Sequence, residues 1–529
     1  MAASVAEPRR VLRHALVVDG GGGSPRAADL AIRGSVIEQI GEVAAQPGDI
    51  DHDVNGRLLM PGFIDAHSHT DALLFDEDVQ LAQLRQGVTT VIGGQDGVSF
   101  APGDGRYASE YFAAINGEHP RYRGDTVADL LATFDHTTRL NFAYLVPAGT
   151  VRNEVMGRDT SPATAEQLRR MRQLVATGLQ HGAVGLSSGL DYVPGIFADT
   201  AELAALAEPV AQAGAVYVSH MRGGYEANSA EGTNEIARIC AQSGVTAHIS
   251  HFHAEADTLL PLLAELQEAG HDVSFDAYPY TRGCTLLAMP LLPPELSVRP
   301  AAEILEALSS PTRREALRTD WFPQVALKPS LGPLWPEMIT LGHIAAPDFG
   351  WAHGLTLAAA AEKSGQDAID FALDVLIASR LEVNAVMAVR FERSVAELGR
   401  IIASTSLLGG SDGIFVGAHP HPRARGTFAR YLREYVREHG FLSWESAAVQ
   451  LAARPAERFS LGRRGQLREG WLADVIVVDP KRVTDAATYE NPLRVATGID
   501  DVFVAGEPVL HGGRLTAALP GRGLRRATS

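Results

Sequence analysis

Residues 61–71 read "PGFIDAHSHTD", two histidines one residue apart at the end of a short apolar run that opens on Pro-Gly. In a strand, residues i and i+2 face the same side, so His67 and His69 point together. Three more donors close similar runs: His220 ends "AVYVSH", His251 ends "VTAHISH" and Asp412 ends "ASTSLLGGSD". Taken alone, each reads as a hydrogen-bonded residue at a strand end. Five in matching positions read as a cage. Imidazole with carboxylate is a borderline-to-hard donor set that suits zinc first, with manganese or iron as alternatives.

A cage needs elements that bring its donors together. From residue 61 onward, apolar strand-like runs recur at 62–69, 88–96, 140–149, 182–189, 215–220, 245–251, 271–278 and 403–412. Helical patterns lie between most of them, including "TAEQLRRMRQLVATGLQHG" and "TAELAALAEPVAQAG", each opening on a Thr as candidate N-cap. Alternating strands and helices predict parallel pairing with right-handed crossovers, and eight strands predict a closed TIM-type (β/α)8 barrel. A barrel carries its chemistry on the carboxyl ends of its strands, where all five donors fall. The interval 279–402 is too long for one crossover. Its Pro-rich middle predicts an inserted subdomain at about 285–350, within a barrel spanning 61–465. Residues 1–60 and 466–529 have strand-and-turn texture and are expected to build one small β-sandwich from both chain ends. "DGGGGSP" follows a strand but precedes no helix, so it reads as a turn rather than a phosphate loop.

The composition is that of a globular enzyme. The chain has 529 residues, 46% hydrophobic and 21% charged, with 46 Lys+Arg against 63 Asp+Glu and a net charge of −17. An acidic balance argues against nucleic acid or an anionic membrane as partner. The two cysteines, Cys240 and Cys284, exclude a disulfide framework and a cysteine zinc cluster. Neither a signal peptide nor a membrane span is legible, so the cytoplasm is the expected compartment. Lysine occurs only at 328, 363 and 481.

The motifs "PGFIDAHSHTD", "YVSHMRG", "HISHFH" and "GGSDG" resemble the amidohydrolase superfamily. Longer stretches, "GVSFAPG", "GAVGLSSGLDYVPGIFADTAEL", "FDAYPYTRGCT" and "HPRARGTFARYLREYVREHGFLSWESA", are similar to the N-acyl-D-amino-acid deacylases, the D-aminoacylases. The resemblance runs over most of the chain and is weakest at 285–400. It implies metal-dependent hydrolysis of the amide of a small N-acyl-D-amino acid. It also implies that His67 and His69 hold one ion with Asp412, and that His220 and His251 hold a second. A divalent ion lowers the pKa of a water and polarises the amide carbonyl. Asp412 is then the candidate base that takes the water's proton and returns it to the leaving amine. Tyr192 is the candidate oxyanion donor, and Arg423 with Tyr278 the candidate carboxylate site.

This sequence departs from the pattern in informative places. The superfamily often bridges two metals through a carbamylated lysine on strand four, and no lysine lies near 182–190. D-aminoacylases resemble one another in using a cysteine after strand two; "GGQDG" places Asp96 there, a harder ligand that favours zinc less. His253 stands where lysine is usual, Ala148 where histidine is common, and Arg282 and Cys284 at small or hydroxyl-bearing positions. His253 supplies less fixed charge than lysine, and Arg282 is a candidate to restore it. Two alternatives remain at this point: a cyclic amidase of the dihydropyrimidinase or hydantoinase type, and an inactive scaffold, whose sign would be lost ligands.

Overall fold

The computed structural model describes residues 8–223, 225–390 and 392–527. All eight runs from 61 onward form barrel strands: Phe63–Asp65, Val88–Gly93, Asn141–Pro147, Gly185–Gly189, Val216–His220, Thr246–Ile249, Val273–Ala277 and Leu407–Gly409. Neighbours pair in parallel and in chain order, with the eighth beside the seventh. Closure onto the first strand is made by backbone bonds: Ala66 N–H to Gly409 C=O at 2.9 Å, Asp412 N–H to His67 C=O at 2.8 Å, and His69 N–H to Gly413 C=O at 3.0 Å. The closing bonds therefore run through the candidate ligands themselves.

The crossover helices begin where the caps dictate. Thr164 and Gln167 form a reciprocal capping box at the start of Ala165–Gln180. The next helix, Thr200–Gln212, differs from expectation: Asp199 is its cap, accepting from Glu202 N–H, and the Thr200 hydroxyl instead donates to Glu235 at 2.9 Å. Asp, like Thr, offers a short oxygen at the capping position, and here it stands one residue earlier.

Strands from both chain ends form one continuous nine-stranded sheet. Arg10–Val17 is paired on one side with Arg26–Arg33 and on the other with Leu58–Pro61, which joins Val475–Val478 of the C-terminal part. The last residues depart from this plan. Beyond Leu515 the chain returns to the barrel, where Leu524 N–H bonds Phe142 C=O at 2.7 Å and Gly523 bridges Phe142. Added Cβ atoms at Gly521 and Gly523 would stand 2.1 and 2.0 Å from the carbonyls of Leu140 and Leu131, so only glycine permits this approach.

The insertion is a separate three-stranded antiparallel sheet, Gly283–Leu286, Ile339–Ile344 and Val383–Met387, with its own buried cluster including Leu291, Phe322, Trp335 and Phe371. It ends at Met387 rather than near 350. Its first and third strands pair with each other, so the unit cannot close before the third is made. No helix among the described residues is long and apolar enough to cross a membrane.

Candidate metal centre

The ends of the barrel strands converge as their spacing predicts. His67, His69, Asp96, His220, His251 and Asp412 all lie together, each less than a tenth exposed. The Asp96 carboxylate sits among four imidazoles: His67 Nε2 at 3.6 Å, His69 Nε2 at 3.6 Å, His220 Nδ1 at 3.7 Å and His251 Nε2 at 3.8 Å. Asp412 Oδ1 faces His69 Nε2 at 3.3 Å and His67 Nε2 at 3.7 Å. Two sets of donors each lie within 4.8 Å of one another, His67/His69/Asp412 and His67/Asp96/His251.

These separations are long for hydrogen bonds. They match the edge of a tetrahedron with metal–ligand bonds near 2.0–2.2 Å, about 3.3–3.6 Å. His67 Nε2 and Asp96 Oδ1 are buried with no hydrogen-bond partner among the described residues. Buried polar atoms are normally satisfied, so two orphans facing each other in an N/O donor set fit a divalent cation. Asp96 faces all four histidines from one position.

The electrostatics agree with a cation-accepting cage. Burial pushes the Asp96 and Asp412 carboxyls up. For Asp96 the surrounding imidazoles, and for Asp412 chiefly Arg423, outweigh burial and hold each well below the usual range. Burial pushes His69 and His220 down, but the negative charges of Asp412 and Asp96 beside one, and of Asp191 and Asp96 beside the other, carry both up to about 10.

The far nitrogens of the histidines are also held. His220 Nε2 meets Asp191 at 3.2 Å, His69 Nδ1 meets Asn116 at 3.1 Å, and His67 Nδ1 meets Asp276 at 3.4 Å. Sequence reasoning missed all three partners. Asp276 had one legible signal, a charged residue inside the apolar run "HDVSFDAY". Asn116 had none, since it lies on a short helix far from any strand end.

The cluster opens into a cavity of about 470 Å³. Tyr192, Tyr278 and His253 line it. Tyr192 OH lies 3.1 Å from Thr285 Oγ1. His253 packs on Tyr278 with ring centres 4.3 Å apart, and burial with nearby Arg393 keeps it far below its ordinary value, hence neutral. The inserted sheet contributes Cys284, Thr285 and Met387 to the wall.

Two expected substrate contacts are placed differently. Arg423 is fully buried behind Asp412 rather than on the wall; its Nη2 bonds Asp412 Oδ2 at 2.8 Å and its guanidinium stacks on Tyr278 at 4.4 Å. A buried cation requires a counter-charge, and Asp412 supplies it. Arg282 does not line the cavity. Its guanidinium lies over the Tyr489 ring at 4.3 Å, where the aromatic face receives the charge.

A closed parallel barrel with four imidazoles and two carboxylates at its carboxyl mouth has the architecture of an amidohydrolase. The amidohydrolase family model matches residues 52–302 and 350–510. The N-acyl-D-glutamate deacylase of Alcaligenes xylosoxydans xylosoxydans is 32% identical over 526 residues, covering 98% of this chain and 97% of the relative. The D-aminoacylase of the same organism is 31% identical over 98% of both chains. The crystal structure of N-acyl-D-glutamate deacylase from Bordetella bronchiseptica, complexed with zinc and a phosphonate mimic of the tetrahedral intermediate, superposes with a TM-score of 0.81. It is 30% identical, covering 98% of this chain and all (100%) of that one. The chain belongs to the amidohydrolase family, among the N-acyl-D-amino-acid deacylases.

Proposed function

We propose that this protein hydrolyses the amide bond of N-acyl-D-amino acids, releasing a carboxylate and a free D-amino acid. The observation that carries the reading is Asp412, an ionised carboxylate at the cavity floor between His69 and Arg423. Zinc suits this donor set; His67, His69 and Asp412 would hold it on one side, His220 and His251 on the other, and Asp96 is within reach of both. Bound there, it would supply Lewis-acid polarisation of the amide carbonyl and a water acidic enough to attack near neutral pH.

The chain's own groups do the rest. Asp412 Oδ1 accepts a proton from the attacking water and delivers it to the departing amine nitrogen. Arg423 keeps Asp412 ionised between turnovers. Tyr192, steadied by Thr285, offers its hydroxyl to the developing oxyanion. Tyr278 offers a hydroxyl to the substrate carboxylate, drawn inward by the buried charge of Arg423 beneath its ring. His253 stays neutral and shapes this end of the cavity.

The cyclic amidase reading is not favoured. A Cβ on Gly189, at the end of strand four, would lie 1.9 Å from the Asp96 carbonyl, which leaves no room for a bridging side chain there. The test is amino-acid release from a panel of N-acetyl-D-amino acids and their mirror images. It uses chelator-stripped protein with and without added zinc. Release from D-substrates only, dependent on zinc, is expected. Hydantoin opening, or silence on the whole panel with zinc bound, would overturn the reading.

A further inference from the structure

Directly beneath the donor cluster lies Asp276, on the seventh barrel strand, with no solvent exposure (0%). Its Oδ2 faces His67 Nδ1 at 3.4 Å and His248 Nε2 at 2.9 Å. Its Oδ1 accepts the backbone N–H of His251 at 2.9 Å. His248 is itself fixed by Ser274 Oγ at 2.8 Å. On the remaining side stands Gly410, where an added Cβ would lie 2.7–2.8 Å from the Asp276 side chain. The first glycine of "GGSD", Gly409, pairs with Ala277, while the second, Gly410, leaves the space that this carboxylate fills.

Two consequences follow for the candidate ligands. A carboxylate on Nδ1 of His67 selects the tautomer with its proton there, which leaves the Nε2 lone pair aimed at the side where Asp96 and Asp412 lie. His251 has φ +34°, a backbone conformation that a β-carbon disfavours, and the bond from its amide to Asp276 holds it there. One buried carboxylate thus grips a ligand from the first strand and a ligand after the sixth.

We propose that Asp276, backed by His248, is the positioning residue that orients His67 and His251 together and so joins the two halves of the metal centre. The proposal rests on reading the cluster as a metal centre. In Asp276→Asn only one oxygen remains. If it keeps the His251 amide, the new NH2 group faces His67 and His248 and forces the wrong tautomer on His67. Lost outer partners of metal-binding histidines typically cost about 10–100-fold in metal affinity.

The test measures zinc affinity by competition with a chromogenic chelator, alongside thermal melts of the metal-free protein, for wild type, Asp276→Asn, His248→Gln and Gly410→Ala. The expected result is a zinc Kd raised about 10–100-fold in Asp276→Asn, and raised in the same direction by the other two, which displace or loosen the same carboxylate without removing it. A purely structural role would lower the melts and leave the Kd of the folded protein unchanged; that outcome overturns the proposal. If Asp276→Asn does not fold, the other two variants decide it by the same criterion. Absence of zinc binding by the wild type would instead overturn the metal-centre reading, and this proposal with it.

Discussion

The Asp412–Arg423 pair makes a demanding prediction, because one contact serves stability and catalysis in separable ways. Their charged atoms are 2.8 Å apart and the side chains are 8% and 0% exposed. At an effective dielectric near 20, two unit charges at that distance attract by about 6 kcal/mol, part of which offsets the desolvation of both groups. Beyond Asp412, the Arg423 guanidinium has a 3.5 Å bond to the Cys284 carbonyl and the Tyr278 ring, while its Nε and Nη1 have no hydrogen-bond partner among the described residues. Asp412→Asn therefore leaves a buried cation without its counter-charge, and metal-free protein should lose about 3–5 kcal/mol in urea unfolding. Asp412→Asn combined with Arg423→Met removes both charges and should regain most of that loss, giving a coupling of at least about 2 kcal/mol. Activity should behave otherwise. Zinc-loaded Asp412→Asn should fall about 10²–10⁴-fold in kcat, the worth of a general base, and the double variant should not recover it. Arg423→Met alone keeps the base but releases its carboxyl upward, so the acid limb of the pH–rate profile should move to higher pH. Additive stability effects, within about 0.5 kcal/mol, would refute the buried pair. An unmoved acid limb would refute Asp412 as the titrating base.

Three further outcomes are expected. Asp96→Cys replaces a carboxylate with a softer thiolate at the midpoint of four histidines, so zinc should leave more slowly under chelator challenge while manganese binding weakens; an unchanged metal preference would show that Asp96 is only a turn residue. The cavity wall includes Ile115, Met289, Met387 and Ile414, so apolar side chains should be favoured. The three extra carbons of N-acetyl-D-leucine over N-acetyl-D-alanine are worth about 0.8 kcal/mol each, or about fiftyfold in kcat/KM; parity would mean that the side chain points elsewhere. His119 accepts the backbone N–H groups of Arg121 and Tyr122 on Nδ1, at 3.2 and 2.8 Å, and burial, then Arg123, lowers it from 6.5 to about 3. Between those values the unfolded chain binds a proton that the folded one does not. Stability should then be complete above pH 6.5 and fall by up to about 1.4 kcal/mol per pH unit below it. Unfolding at stepped pH should show this slope lessened in His119→Gln.

The barrel was legible because strands buried on both faces read as unbroken apolar runs, and its donors because they end those runs. The inner supports were not. Asp276 shows in the sequence only as a charge inside an apolar run and Asn116 not at all, because their roles lie in contacts 209 and 47 residues away along the chain. Arg423 illustrates a subtler limit. Its residue type suits a substrate carboxylate, yet packing turns it toward the nearer acid, Asp412. The extent of the insertion was hidden because composition marks its Pro-rich middle, whereas its last strand, Val383–Met387, looks like any other apolar run. The return of the C-terminal tail to the barrel depends on two glycines whose purpose is visible only against the carbonyls they pass.

The backbone around Asp96 explains how its carboxylate is brought among the four histidines. Asp96, His251 and Asp412 have φ of 54°, 34° and 49°, all in the left-handed region and all at candidate ligands. Such residues cost about 1–3 kcal/mol each and persist where the surroundings over-determine them. Around Asp96 the surroundings are explicit. Gly94 and Gly97 flank it with φ of 74° and 69°, and Cβ atoms on them would stand 2.2 Å from the Leu145 carbonyl and 2.7 Å from the Gly189 amide. The turn after strand two is thus pressed against strands three and four, and Gly189 meets the Asp96 carbonyl in return. No side chain at Gly189 can share this space with the turn that carries Asp96, so the glycine ending strand four and the acid after strand two are packed as a pair.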